Sequence, residues 1–419
     1  MATLRIEGGR KLCGRVAVEG NKNSALPLIA ACVLTDQPCE LSNVPRIRDV
    51  EVMLDLIERL GARIEGRGTS ALTITCDRIV TEEPDATLVG KLRGSVLLLG
   101  PLLARRGAAR LSAPGGDFPA RRTISTHLEA LQAMGAVLLD EPGRHALDAP
   151  SGLSGASMYL AEASVTGTET AVLAAAAARG PSEIRHAAME PHVAELCEFL
   201  QTFGAEIDGI GTATIRVRPP AKLRGGRHRL AGDYIEAGSW GVVAAITGGE
   251  IEVTGARSID LEVIAAPLRR MGLNCRYDED RLRIQPSTLH ATRRITTGLW
   301  PGFPSDMVSL VTVLATQAAG RTLVHDWLYE LRLFALEQLS AMRADLFLCD
   351  SHRMIVTGPT KLRGRVLDSR DLRSGMALIA AGLAAEGESW VAPVETVERG
   401  YASLVDRLRA LGAVVERET

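Results

Sequence analysis

Six equivalent positions, Asn23, Arg93, Thr166, Ile235, Asp306 and Arg373, each stand at the start of a run of apolar residues. Amide, hydroxyl and carboxylate side chains at such places cap helices, and capping alone would account for Asn23, Thr166 and Asp306. It does not account for the arginines. A cation at a helix N-terminus opposes the macrodipole and needs an anion beside it. Arg93, Arg373 and Lys22, set among several helix N-termini, are therefore expected to form the floor of an anion-binding site; the alternative is a set of scattered surface arginines.

These positions are equivalent because the chain repeats. A phrase of the type apolar-Gly-Ala recurs as Leu60-Gly61-Ala62, Met134-Gly135-Ala136, Phe203-Gly204-Ala205, Met271-Gly272-Leu273, Met342-Arg343-Ala344 and Leu411-Gly412-Ala413, at steps of about seventy residues. In the last copy, Lys361 to Asp368, Trp390 to Pro393 and Val414 to Arg417 alternate like strands, whereas Leu372 to Ala385 and Leu404 to Leu411 have helical spacing. One unit thus reads strand, helix, strand, helix, strand, and the same grammar fits copy one, where Lys11 to Val16 leads into a helix from Asn23. Gly107, Gly180, Gly249, Gly320 and Gly387 are expected to close the first helix of copies two to six as left-handed caps. Runs such as Val96 to Ala104 and Ala171 to Ala178 have no polar face, so these helices should be buried on all sides, with strands packed around them.

Composition narrows the function. The 419 residues suffice for two domains of three units each, 46% are hydrophobic and 23% charged, and the net charge of -2 exerts no global pull on nucleic acid or a membrane surface. No apolar run is long enough to span a bilayer and the start lacks a leader pattern, so a cytoplasmic location is expected. The seven cysteines form no CxxC pair and the eight histidines no ligand cluster. Buried structural thiols, no metal and no cofactor are the expectation.

Four stretches then carry a resemblance: Gly20-Asn-Lys-Asn-Ser-Ala-Leu-Pro27, Pro114-Gly-Gly-Asp-Phe-Pro-Ala-Arg-Arg122, Gly302-Phe-Pro-Ser-Asp-Met307 and Arg399-Gly-Tyr401. In that order, across nearly the whole chain, they resemble the enolpyruvyl transferases of the UDP-N-acetylglucosamine 1-carboxyvinyltransferase type. The resemblance implies an α/β, two-domain enolpyruvyl transferase fold of six βαβαβ-type repeats, each domain an inside-out α/β barrel of three repeats with the active site in the cleft between them. One domain would comprise residues 1–20 plus 231–419, and the other residues 21–230, carrying a mobile catalytic loop at 113–122. The implied substrates are phosphoenolpyruvate and UDP-N-acetylglucosamine, with no nucleic acid, no membrane partner and a monomeric chain.

By match to the family motifs, Asp306 stands at the sugar 3-hydroxyl, and Lys22, Asn23, Arg122, Arg373 and Arg399 at phosphoenolpyruvate. Asn23, Arg93, Arg122, Thr123, Ile124, Ser125, Thr126, Ser164, Asp306 and Leu328 stand at the nucleotide sugar. Lys22, Asp117, Asp306 and Arg399 are the implied catalytic set. Asp117 occupies the place where most relatives carry cysteine, and Gly115 and Gly116 provide a hinge for loop closure. For Asp117 to act as general acid, its pKa would have to rise by about three units from about 3.9, helped by a closed lid and phosphate charge. Insensitivity to fosfomycin, the epoxide inhibitor that alkylates the loop thiolate, is expected.

Other departures from the family lie on the nucleotide side. Thr123 replaces a proline, Ser125 an aspartate, Glu162 a lysine and Tyr234 an arginine, while Ser164-Val-Thr-Gly-Thr168 replaces Ser-Val-Gly-Ala-Thr. They favour, as runner-up, a paralogue acting on another nucleotide or sugar acceptor. A non-catalytic sugar-nucleotide sensor would not need Lys22, Asp306 and Arg399 together. An RNA-processing relative on a similar repeat would need a basic groove and a catalytic histidine.

Overall fold

The computed structural model describes residues 2–115 and 123–418. The chain forms two compact units, one built from residues 2–19 and 232–418, the other from 20–115 and 123–231. Each unit has three small sheets, and among the described residues five of the six are four-stranded and one three-stranded. A typical sheet places a parallel pair beside an antiparallel hairpin, as where Arg294–Thr296 runs parallel to Gly320–His325, which pairs in turn with the hairpin Asp345–Leu348/Arg353–Gly358.

Two strands change partners relative to the sequence repeat. Cys13–Ala17, expected to open copy one, runs parallel to Glu250–Thr254 in the sheet of copy four. Its place in copy one is taken by Arg227–Arg229, parallel to Cys39–Ser42. The chain leaves one unit after residue 19 and returns after 231, and each of these strands stays with the unit being left. Thr3–Glu7 also completes the sixth sheet, antiparallel to both Glu388–Ala392 and Val414–Glu418. A periodicity that compares copies cannot see such an exchange, because both strands alternate equally well.

The interior helices behave as their apolar runs require. In the 232–418 unit, Tyr234–Ile246, Val308–Gln317 and Leu372–Ala384 pack against one another, with Trp240, Leu310 and Leu378 fully buried. In the other unit, Leu99–Arg106 approaches Val165–Ala176 so closely that a Cβ on Gly100 would lie 3.2 Å from the Thr170 carbonyl oxygen. Each large aliphatic side chain buried this way contributes about 1.5–3 kcal/mol.

Helix ends differ from expectation in detail. Caps lie one or two residues before the six aligned positions: Asn21, Ser164, Asp233 and Asp371 accept backbone N–H bonds at the starts of their helices. Asn23, Thr166, Ile235, Asp306 and Arg373 are second residues of their helical turns and Arg93 a first, so their side chains do not cap. Only Gly107 caps its helix in the left-handed conformation; Gly180, Gly320 and Gly387 are left-handed further along the turn, and Gly248 takes that role in place of Gly249. In the Gly-Ala phrase, all five glycines have positive φ, and so does Arg343, at 74°. The turn dictates the conformation whether or not the residue suits it.

Candidate functional site

In the 232–418 unit, the candidate residues gather around Asp306. Pro304 is extended and feeds a short 3-10 turn, Ser305–Met307, that leads into Val308–Gln317. Arg373, on the second residue of Leu372–Ala384, donates to Asp306 Oδ2 from Nη2 at 2.8 Å and from Nε at 3.1 Å. Arg332 donates from Nη1 to Ser305 Oγ at 2.7 Å and to Asp306 Oδ1 at 3.3 Å, with its guanidinium over the Tyr329 ring. Ser305 in turn donates to Asp326 Oδ2 at 2.7 Å, and Thr297 to Asp326 Oδ1 at 2.8 Å. The anion that the Arg373 position demanded is thus an internal one.

Electrostatics fix the charge states. Arg373 is only 4% exposed; burial works against its charge, but Asp306, Tyr401 and Asp233 more than offset that and its pKa lies above the usual value. Arg332 follows the same pattern, with desolvation outweighed by Asp306 and Asp326. Asp306 remains partly exposed, at 26% of its side chain. A carboxylate held by two guanidiniums has its oxygens fixed in place, and its partial exposure leaves it within reach of a ligand.

Arg399 closes the short Glu395–Glu398 helix and is partly exposed. Gly400 next to it lies against Leu372, where a Cβ would come within 2.7 Å of Cδ2. Tyr401 is buried, with its hydroxyl 2.7 Å from Ser239 Oγ and 3.4 Å from Arg373 Nη1. The Arg-Gly-Tyr motif thereby pins Arg399 to the start of the Leu372–Ala384 helix. Leu328 is partly buried, its N–H directed at Asp326 Oδ1 over 3.3 Å. Tyr234 packs edge-on against Trp300 within the same unit.

In the other unit, Lys22 is paired with buried Asp49 at 2.7 Å, and Asn21 caps the helix that begins at Lys22. Ser24, one turn in, meets buried Glu195, which also accepts from Ala231 N at 2.7 Å and contacts His228. The expected cationic floor is therefore already compensated at Lys22 and Arg373 by carboxylates of the protein itself. Arg93 donates to the Thr123 carbonyl at 2.7 Å. Thr123 and Ser125 are exposed, with their hydroxyls 2.9 Å apart. Ile124 and Thr126 are buried, the latter donating to Glu162 Oε1 at 3.4 Å. Ser164 Oγ accepts from Gly167 N at 3.2 Å, and buried His127 places Nε2 2.8 Å from Thr166 Oγ1.

Asp117 and Arg122 lie outside the described residues, as does most of the 113–122 loop. Arg332, Asp326, Asp49 and His127 were missed by sequence reasoning. Asp49 has an equivalent in Asp260, each twelve residues before the glycine of its phrase, but nothing in the sequence pairs it with Lys22. Among the described residues no group of three or more His, Cys, Asp or Glu side chains could hold a metal ion, and no helix is long and apolar enough to cross a membrane. Five cysteines are buried, but Cys13 and Cys349 are exposed, so the expectation of seven buried thiols holds only in part.

Comparisons with known proteins converge. The family described as EPSP synthase (3-phosphoshikimate 1-carboxyvinyltransferase) matches residues 6–408. A UDP-N-acetylglucosamine 1-carboxyvinyltransferase of Borrelia garinii subsp. bavariensis is 40% identical over 100% of this chain and 99% of its own, and one of Bradyrhizobium diazoefficiens is 41% identical over 98% and 97%. Among solved structures, the enolpyruvyl transferase NikO from Streptomyces tendae is 26% identical with a TM-score of 0.89 over 100% of this chain and 99% of its own. EPSP synthase from Acinetobacter baumannii shares the fold at 19% identity, with a TM-score of 0.77 over the full length of both chains. A sixfold repeat in two units and whole-length similarity to these proteins place the chain in the EPSP synthase family of enolpyruvyl transferases, among the relatives named UDP-N-acetylglucosamine 1-carboxyvinyltransferase.

Proposed function

We propose that the chain transfers the enolpyruvyl group of phosphoenolpyruvate to the 3-hydroxyl of UDP-N-acetylglucosamine and releases phosphate. The observation that carries this reading is about 40% identity, from end to end, to relatives bearing that activity in their names. Asp306 accepts the hydroxyl proton as the sugar oxygen bonds to C2 of phosphoenolpyruvate, and a proton adds to the methylene carbon. The tetrahedral adduct then loses a proton from that carbon as the bond from C2 to the phosphate oxygen breaks. Arg373 and Arg332 orient the base, while Lys22, Arg122 and Arg399 balance the phosphate and carboxylate charges. Asp117 is the proposed proton donor to the methylene carbon. The reaction would commit nucleotide sugar to peptidoglycan synthesis in the cytoplasm, with the enzyme acting as a monomer and without a cofactor.

Phosphate release from phosphoenolpyruvate across a panel of UDP-sugars tests the reading. Release that depends on UDP-N-acetylglucosamine is the expected result; release only with a different acceptor would overturn it in favour of a paralogous transferase. Fosfomycin separately probes the loop. With aspartate at position 117 the enzyme should be insensitive to fosfomycin, and inhibition that becomes irreversible with time, with label on residues 113–122, would contradict that insensitivity; Asp117→Asn retaining full turnover would instead overturn Asp117 as proton donor.

A further inference from the structure

Asp326 directly follows the Gly320–His325 strand and is fully buried. Among the described residues its carboxylate meets neutral donors: Thr297 Oγ1 at 2.8 Å and the Leu328 N–H at 3.3 Å on Oδ1, and Ser305 Oγ at 2.7 Å on Oδ2. A buried charge is costly unless it is balanced nearby. The balancing cation here is Arg332, one hydroxyl away. Its Nη1 donates to Ser305 Oγ at 2.7 Å, and the Asp326 charge helps to hold its pKa above the usual value.

The chemistry of these three groups fixes the direction of each bond. A guanidinium only donates and a carboxylate only accepts, whereas a hydroxyl does both. Ser305 therefore accepts from Arg332 and donates to Asp326, and neither bond can reverse. An amide at position 326 could not keep this arrangement, because its NH2 group would take the place of one of the two accepting oxygens.

The backbone aims the same segment. The Asp326 N–H donates to the His352 carbonyl at 2.9 Å, and the His352 ring returns a bond from Nδ1 to the Asp326 carbonyl at 2.7 Å. The Leu331 N–H donates to the Ser351 carbonyl at 3.1 Å, and Leu331 is left-handed, with φ 64°. A leucine takes that conformation only where its surroundings require it. Arg332 thus enters the cluster from a segment fixed at both ends. Its shorter bond, 2.7 Å, goes to Ser305, and its bond to Asp306 Oδ1 is 3.3 Å.

We propose that Asp326 and Ser305 are positioning residues for the reaction: Asp326 locks the Ser305 hydroxyl as an acceptor, and Ser305 anchors Arg332 where it orients Asp306 without closing on it. This rests on the reading above, in which Asp306 accepts the proton of the sugar hydroxyl. Without the anchor the guanidinium can swing onto Asp306 or away from it, and either movement misaligns the base.

The test uses the two oxygens of Asp326 against each other. S305A and T297V each remove one hydroxyl from the same buried carboxylate, but only Ser305 leads to Arg332. Phosphate release is followed with whichever UDP-sugar of the panel supports turnover. kcat should fall about tenfold in S305A and about 10- to 100-fold in D326N, whereas T297V should cost no more than about twofold. S305A leaves Asp326 its Thr297 and Leu328 bonds, so the comparison does not depend on the folding of D326N. KM for both substrates should change by less than about threefold, and S305T, which restores the hydroxyl, should recover most of kcat. In an R332M background S305A should cost less than about twofold further. Wild-type kcat in S305A, equal losses in S305A and T297V, or an undiminished cost of S305A beside R332M would each overturn the proposal. Turnover only with an acceptor other than UDP-N-acetylglucosamine would overturn the functional reading instead, and no turnover with any acceptor would overturn both.

Discussion

The two clusters are built from different chemistry. Around Asp306, charge is concentrated and internally matched: two guanidiniums meet one carboxylate, and a second carboxylate, Asp326, holds Ser305 and Thr297 behind them. Around Ser164, polar contacts are made mainly by the hydroxyls of Thr123, Ser125, Thr126 and Thr166 and a neutral imidazole, with Arg93 on the Thr123 carbonyl and Glu162 on the Thr126 hydroxyl. Under the proposed function, the proton of the sugar hydroxyl needs a fixed, strongly oriented acceptor, whereas the nucleotide sugar that only has to be held can be met by many weaker donors. If that division is right, substitutions in the first cluster should appear in kcat and substitutions in the second in KM.

The largest expected effect is therefore at Asp306. Asp306→Asn keeps the shape and one acceptor oxygen but removes the charge that pairs with Arg373 and Arg332. Loss of a general base typically costs 10²- to 10⁴-fold, and kcat should fall within about that range while KM for the nucleotide sugar changes by less than about tenfold. A variant retaining a tenth of wild-type kcat would dissolve the distinction between the clusters.

The next effect compares the units through pH. In the hydroxyl-rich cluster, His127 has a folded pKa of about 4, lowered by burial, against an unfolded value of about 6.5. Between those values the unfolded chain binds a proton that the native chain does not, so stability present above pH 6.5 is lost as pH falls toward 4, by roughly 3 kcal/mol. In the other unit, burial pushes Glu236 up to about 7 although Arg407 lies against it. Its sign is opposite: its contribution is complete below about pH 4.5 and is lost as pH rises through 7. Hydrogen exchange, corrected for intrinsic rates, should show Val165–Ala176 losing protection in acid and Tyr234–Ile246 gaining it. His127→Phe and Glu236→Gln should each flatten their own trend, and parallel behaviour of the two helices would refute the assignment.

How much of this was legible in the sequence depends on whether a feature repeats. The interior helices, the Gly-Ala turns and the row from Asn23 to Arg373 recur in several copies, and periodicity located them. What periodicity left out are contacts between residues that do not recur. Arg332 reaches Asp306 from the segment before the fifth phrase, where Leu333, Leu336 and Leu339 are periodic but Arg332 itself is not part of that pattern, and His127 reaches Thr166 because Gly167 lets two helices close up. The strand exchange was hidden for a related reason: alternation marks a strand but does not name its partner. Lys22 was visible as a cation, but its partner Asp49 was not, and the pair changes an open anion floor into a compensated one.

The smallest expected effect tests whether the repeat, and not the local sequence, dictates the turns. Five copies place glycine at the left-handed position of the Gly-Ala phrase, and the fifth copy, which also carries Asp306, places Arg343 there at φ 74°. A left-handed conformation costs a residue with a Cβ roughly 1–2 kcal/mol, and glycine avoids that at the expense of about 0.4–1 kcal/mol of extra unfolded-state entropy. Arg343→Gly should therefore stabilise the protein by about 0.5–1 kcal/mol in chemical denaturation and leave kcat and both KM values unchanged. Arg343→Ala, which keeps a Cβ, should gain nothing. Stabilisation by alanine as large as by glycine would mean that the arginine side chain, and not the backbone, is what the turn finds unfavourable.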